Sequence, residues 1–113
     1  MTAIIDENEI NGLISDIGRE DFIILLNAFL SECSSKLNSL KDNLDKTEHD
    51  QLELDSHTLK SLSRTFGAVA LGDACSKLEN AAKNQEHMNY QSLFGSIKTN
   101  ADLATNILRK EYY

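Results

Sequence analysis

No proline interrupts this chain, and leucine, isoleucine and alanine return in steps of three and four almost from end to end. That spacing is the mark of helices with one apolar face. Without proline, the commonest interior helix breaker is missing too. No convincing run of alternating Val, Ile and Thr marks a strand, and neither an internal repeat nor a low-complexity linker divides the chain. The 113 residues are therefore read as one all-α domain, long enough to bury a core without staples.

Five helices follow from the pattern. The first covers about Glu7 to Ile17, with Ile10, Leu13, Ile14 and Ile17 as its stripe and Gly18 as its end. The second runs from about Glu20 to Lys46 along Leu26, Leu30, Cys33, Leu37, Leu40 and Leu44, and Glu20 and Asp21 suit its positive end. The third is expected from Thr47 to about Phe66, with Thr47 and Asp50 at capping-box spacing and Leu52, Leu59, Leu62 and Phe66 facing inward. The fourth, about Val69 to Asn84, buries Leu71, Ala74, Cys75, Leu78 and Ala82. The fifth, about Tyr90 to Glu111, buries Leu93, Phe94, Ile97, Ala101, Ala104 and Leu108. Connections this short make neighbours antiparallel. The expected fold is an antiparallel up-down four-helix bundle over about residues 19–111, with a short additional N-terminal helix over about 7–17 capping one end.

Charge and composition narrow the function. A net charge of −7 leaves no broad basic surface for phosphate backbones, so nucleic acid is not an expected partner. No apolar run nears the roughly 18 residues of a membrane span. The opening MTAIIDENEI carries acids where a secretory signal carries bases. Cys33 and Cys75 lie in apolar-periodic stretches without CxxC spacing. They are expected to be small buried residues in a reducing, cytoplasmic setting.

One residue breaks the pattern. In SHTLKSLSRTFGA, residues 56–68, a rotation of about 100° per residue places His57 roughly 160° from Leu59, on the outer face. Glu53, Lys60, Ser61 and Arg64 share that face. A solvated polar face is the plain reading of such a group. Metal binding fits poorly, because His49, His57 and His87 are scattered and no Glu-x-x-His pair occurs. Neither a glycine-rich phosphate loop nor a nucleophile elbow is present. Phosphoryl acceptance fits better. Neutral imidazole is a nucleophile near pH 7. Lys60 and Arg64 would disfavour imidazolium and attract an incoming phosphoryl group. Ser61 is small enough to let a partner reach the ring.

The stretch HTLKSLSRTFGAVAL, followed by CSKLENAAK, resembles the histidine-containing phosphotransfer (HPt) domain family. His57, Leu59, Lys60, Ser63, Gly67, Ala68, Leu71, Leu78 and Glu79 stand at the family's spacings. The usual glycine after the lysine is Ser61 here, and in this the chain resembles the quorum-sensing phosphorelay members of marine bacteria, the LuxU type. The resemblance implies a phosphorelay intermediate without kinase activity of its own. His57 would take a phosphoryl group on Nε2 from a receiver-domain phospho-aspartate, such as that of a hybrid sensor kinase. It would then pass the group to a response-regulator receiver. The receiver supplies Mg²⁺, so no cofactor or metal is expected on this chain. Lys60 and Arg64 are candidates to stabilise the phosphoryl group, with Arg64 alternatively pairing with an acidic receiver site. Glu79 matches a family glutamate that orients the imidazole, and Glu53, one turn before His57, is its rival. Leu54, Ser61 and Ile24 are candidate docking residues. Ser63 is expected to pack between helices three and four, and Gly67 to end the third helix. A chain running from Met1 to Tyr113 without a linker suggests a free-standing relay protein, and a monomer is the preferred expectation for its oligomeric state. The alternative is a non-catalytic helical adaptor that binds a receiver or kinase without accepting phosphate.

Overall fold

The computed structural model describes residues 4–113. Its elements are α1 (Glu7–Ile17), α2 (Arg19–Lys46), α3 (His49–Thr65), α4 (Val69–Lys83), a 3-10 turn (His87–Asn89) and α5 (Tyr90–Tyr112). Helices α2 to α5 each pack on the next, and α5 closes back on α2, which makes the expected four-helix bundle. The 28 residues of α2 at about 1.5 Å each account for the longest dimension, 42 Å. No described helix is long and apolar enough to cross a membrane.

The stripes read from the sequence form the core. Leu26, Cys33, Leu40, Leu52, Leu59, Leu71, Leu78, Ile97 and Leu108 are all buried. Leu30, Leu37, Leu62, Leu93 and Phe94 are half-buried at its margin, as are Leu13, Ile14 and Ile17 of α1. Phe22 and Phe29 extend the α2 stripe by steps of four and three from Leu26 and are fully buried. Phe29 stacks on Phe66 at 4.8 Å, and Phe22 meets both Phe66 and Tyr112. Cys33 and Cys75 are free thiols in this core. Burial, followed by the neighbouring Asp102, pushes Cys33 up to about 11. Burial, followed by the nearby Cys33 and Glu79, pushes Cys75 to about 12, with Lys60 acting weakly the other way.

The helix ends include one cap the sequence reading did not name and one expected cap that does not form. Asp6 caps α1, its carboxylate accepting from the backbone N–H groups of Asn8 and Glu9. The expected Thr47–Asp50 capping box does not form. Thr47 instead closes α2 in the left-handed conformation (φ 54°), and its N–H and that of Glu48 bond back to Leu44 and Asn43 carbonyls. Only Thr47 and Glu48 separate the two helices, so the reversal consumes Thr47 before α3 begins at His49.

The α3–α4 corner turns on Gly67, at φ 64°. Its conformation is one that L-residues avoid. The N-terminal segment also crosses it closely: Asp6 N–H donates to the Gly67 carbonyl at 2.7 Å, and a Cβ here would lie 2.6 Å from the Asp6 carbonyl oxygen. Gly67 thus ends the third helix as expected and also seats α1 on the bundle.

Helix α3 meets α4 more extensively than any other pair meets. The small residues Ser56 and Ser63 of α3 are fully buried, with each hydroxyl donating to the carbonyl four residues back, Leu52 and Leu59 respectively. On the other side of α3, the buried Asp55 accepts hydrogen bonds from Ser39 at 2.5 Å and Gln51 at 3.0 Å, with the Lys36 ammonium at 3.6 Å. This polar clamp pins α3 to α2, and α4 packs against the opposite side. Helix α3 therefore has little freedom to rotate.

Candidate functional site

His57 stands mid-way along α3 with 57% of its side chain exposed. The outward position computed from Leu59 is the one observed. The structure adds a neighbour from α4: Glu79 Oε2 lies 2.8 Å from His57 Nδ1. A carboxylate only accepts, so Nδ1 donates, and the ring proton resides there. Nε2 keeps its lone pair, on the edge of the ring turned from Glu79, and no described residue hydrogen-bonds to it.

Glu79 is nearly covered, its side chain 11% exposed, and its second oxygen accepts from Lys60 Nζ at 2.5 Å. Burial by itself raises the carboxyl's pKa. The hydrogen bond from Lys60, then that from His57, together with both charges, outweigh burial and hold the group below the usual carboxylate range. The carboxylate thus faces a donor on each side and stays charged.

Two expectations need correcting here. Lys60 was expected on the open outer face, yet its side chain is only 18% exposed and its ammonium is engaged with Glu79. Residue 60 is three positions past residue 57, a rotation of about 300°, which swings it toward α4 rather than toward solvent. The group in contact with the ring is accordingly an anion, not a pair of cations. The Nε2 lone pair is freed by the choice of tautomer, not by cationic repulsion of a proton.

Of the two acids considered for orienting the ring, Glu79 makes the contact and Glu53 does not. Glu53 is half-buried and lines a shallow groove beside the ring with Asp50, Leu54, His57 and Glu79. Leu54 and Ile24 are exposed, at 57% and 65%, and Ser61, seven residues after Leu54 on α3, is exposed as well. Ile24 is not covered by α1. Ser63 is buried, its hydroxyl donating to the Leu59 carbonyl. Arg64 is exposed, and no ion pair holds it among the described residues. Asp55 was not anticipated. Its signal was an acid three residues after Leu52 and four before Leu59, on the inward stripe. Among the described residues no group of three His, Cys, Asp or Glu side chains is placed to hold a metal ion.

The geometry is thus an exposed imidazole oriented from behind by a buried carboxylate on the neighbouring helix of a four-helix bundle. Comparison with known proteins shows the family. The Hpt domain profile matches residues 24–107. The chain is 33% identical over 88 residues to the phosphorelay protein LuxU of Vibrio cholerae, covering 78% of each. It is 34% identical over 80 residues to LuxU of Vibrio vulnificus, covering 71% of this chain and 70% of the relative. The crystal structure of histidine-containing phosphotransfer protein B of Pseudomonas aeruginosa superposes with a TM-score of 0.93 over 99% of this chain and 96% of the other, at 21% identity, which speaks to the fold. This chain belongs to the Hpt domain family, and the LuxU phosphorelay proteins are among its relatives.

Proposed function

We propose that His57 is the residue on which this phosphorelay intermediate of two-component signalling carries its phosphoryl group. The observation that carries the reading is the pairing of Nδ1 with the buried Glu79 carboxylate while the ring stays mostly exposed. Nε2 attacks the phosphorus of a receiver aspartyl phosphate, and the P–O bond to the aspartate breaks. The products are an Nε2-phosphorylated imidazolium, still protonated on Nδ1, and a free aspartate carboxylate. The proton never leaves Nδ1, so the reverse step delivers the phosphoryl group to a second receiver without any proton movement. Glu79 offsets the positive charge that the ring gains as the new bond forms. Lys60 keeps Glu79 ionised and so acts on the ring through it.

Receiver domains, including that of a hybrid sensor kinase, are the proposed partners. They dock over Leu54, Ser61 and Ile24 on a small surface suited to a contact that must form and separate repeatedly. The receiver brings the Mg²⁺ that holds the phosphoryl oxygens. The proposed setting is the cytoplasm, where receivers and reduced thiols such as Cys33 and Cys75 coexist.

The test is incubation with a phosphorylated receiver. Label should pass to the wild-type chain in an acid-labile, alkali-stable form, and His57→Gln should take none. A His57→Gln chain that accepts the same label removes the proposal. A wild-type chain that binds receivers but takes label from none of them establishes the adaptor reading instead.

A further inference from the structure

The groove beside His57 carries two carboxylates that no cation of the described chain neutralises. Asp50, Glu53, Leu54, His57 and Glu79 line it. The first four follow one another at helical spacing and share one face of α3. Glu79, from α4, is already engaged by His57 and Lys60. Asp50 is exposed and Glu53 half-buried, and neither makes an ion pair among the described residues. The chain holds no lysine or arginine between Lys46 and Lys60, so α3 offers neither acid such a partner one turn away. Leu54 adds an exposed apolar surface to the same groove.

A protein that delivers a phosphoryl group to His57 must cover this groove. At about 1.5 Å per residue, Glu53 lies about 6 Å and Asp50 about 10.5 Å from His57 along the helix axis. Even a small contact of about 600 Å² on each side, centred on the ring, reaches about 14 Å outward. Both carboxylates therefore pass under the receiver when its aspartyl phosphate meets Nε2. Covered without a counter-charge, they lose hydration and repel the incoming phosphoryl group. A lysine or arginine side chain from the receiver relieves both effects. Its shape fits as well: the methylene stem lies on Leu54 while the charged head meets Asp50 and Glu53.

We infer that Asp50 and Glu53 determine receiver specificity, selecting receivers that present a lysine or arginine side chain to the groove beside Leu54. This rests on the reading of His57 as the acceptor. A receiver with an acid or an apolar residue at that point leaves both carboxylates uncompensated and is bound more weakly. Neither acid touches the ring, so both act on docking and not on the transfer step that follows it.

The experiment is single-turnover transfer to the full chain from the receiver domain of the source organism that loads it fastest, over a range of receiver concentrations, with a thermal melt of each variant. Asp50→Asn combined with Glu53→Gln should raise the half-saturating receiver concentration about 10-fold, the lower range for one charge-assisted contact. The rate at saturation should stay unchanged. Asp102→Asn combined with Glu111→Gln removes the same charge from exposed positions on α5, which packs on α2 and α4, and should leave both quantities unchanged. Glu53→Lys should weaken docking further, and one lysine-to-glutamate or arginine-to-glutamate change on the receiver should recover the loss. An unaltered half-saturating concentration in the Asp50–Glu53 double variant overturns the inference. So does an equal rise in the α5 double variant, which assigns the effect to net charge, or a receiver on which no such change recovers Glu53→Lys. These results leave His57 as acceptor intact. A wild-type chain that takes no label on His57 overturns the acceptor reading, and this inference with it.

Discussion

Replacing Glu79 with glutamine should damage transfer more than its near-identical shape suggests. The carboxylate accepts two hydrogen bonds, from His57 Nδ1 and from Lys60 Nζ. Glutamine offers one oxygen and one NH₂, so one donor must lose its acceptor. Lys60 carries a full charge and has little exposure to water, so it claims the oxygen. The NH₂ then faces Nδ1 and donates to it, which drives the ring proton to Nε2 and blocks the nucleophile. Two losses combine. The developing imidazolium forfeits a charge-assisted bond, about 1.5–3 kcal/mol, and the tautomer preference turns adverse by about 0.5–1.5 kcal/mol. Their sum of about 2–4.5 kcal/mol corresponds to roughly 30- to 2000-fold in rate. Single-turnover transfer gives the rate, and imidazole nitrogen chemical shifts give the tautomer. Adding Lys60→Met to Glu79→Gln releases the oxygen for Nδ1–H and should restore part of the lost rate. Wild-type speed in Glu79→Gln, or no recovery in the double variant, would refute the reasoning.

Other expectations follow from the same geometry. Gly67→Ala combines a left-handed backbone with a Cβ 2.6 Å from the Asp6 carbonyl oxygen. It should cost about 2–5 kcal/mol and lower the melting temperature by about 8–20 °C, and an unchanged melt contradicts it. Asp55→Ala strips Ser39, Gln51 and Lys36 of their common acceptor and should destabilise by about 3 kcal/mol in denaturant titration. A loss under about 0.5 kcal/mol, the range of ordinary surface changes, means the clamp is unimportant. Glu79 also sets a pH dependence. Its folded pKa is depressed, so its contribution is complete above the unfolded carboxylate value of about 4.3 and is lost as pH falls through the lower folded value. The stability gap between wild type and Glu79→Gln should therefore be widest near neutrality and close in acid. A gap that widens on acidification contradicts the ionised pair.

Much of this was legible in the residues, and the misses have physical causes. The end of α1 follows from Gly18, read locally, whereas its cap at Asp6 was passed over. The outward position of His57 follows from rotation about α3 alone. The Thr47 error arose because two helix ends compete for one short connector, and capping spacing does not say which end a residue serves. Phe22 and Phe29 were passed over although they continue the α2 stripe, since a seam of leucines already satisfied the period. The choice between Glu79 and Glu53 was beyond periodicity. It depends on how α4 lies against α3, a relation between two helices that neither helix encodes by itself. The partner of Lys60 was hidden for the same reason, because a lysine at the edge of a face is assigned to solvent until a second helix is placed beside it.

The central claim is that the phosphoryl group resides on Nε2 of His57, with the Nδ1 proton kept by Glu79. Phosphorus–nitrogen correlation by NMR on the phosphorylated, nitrogen-labelled chain tests it most directly. The account predicts phosphorus coupled to Nε2 of His57 and a proton still on Nδ1. Phosphorus bonded to Nδ1, or to His49 or His87 in place of His57, would contradict it.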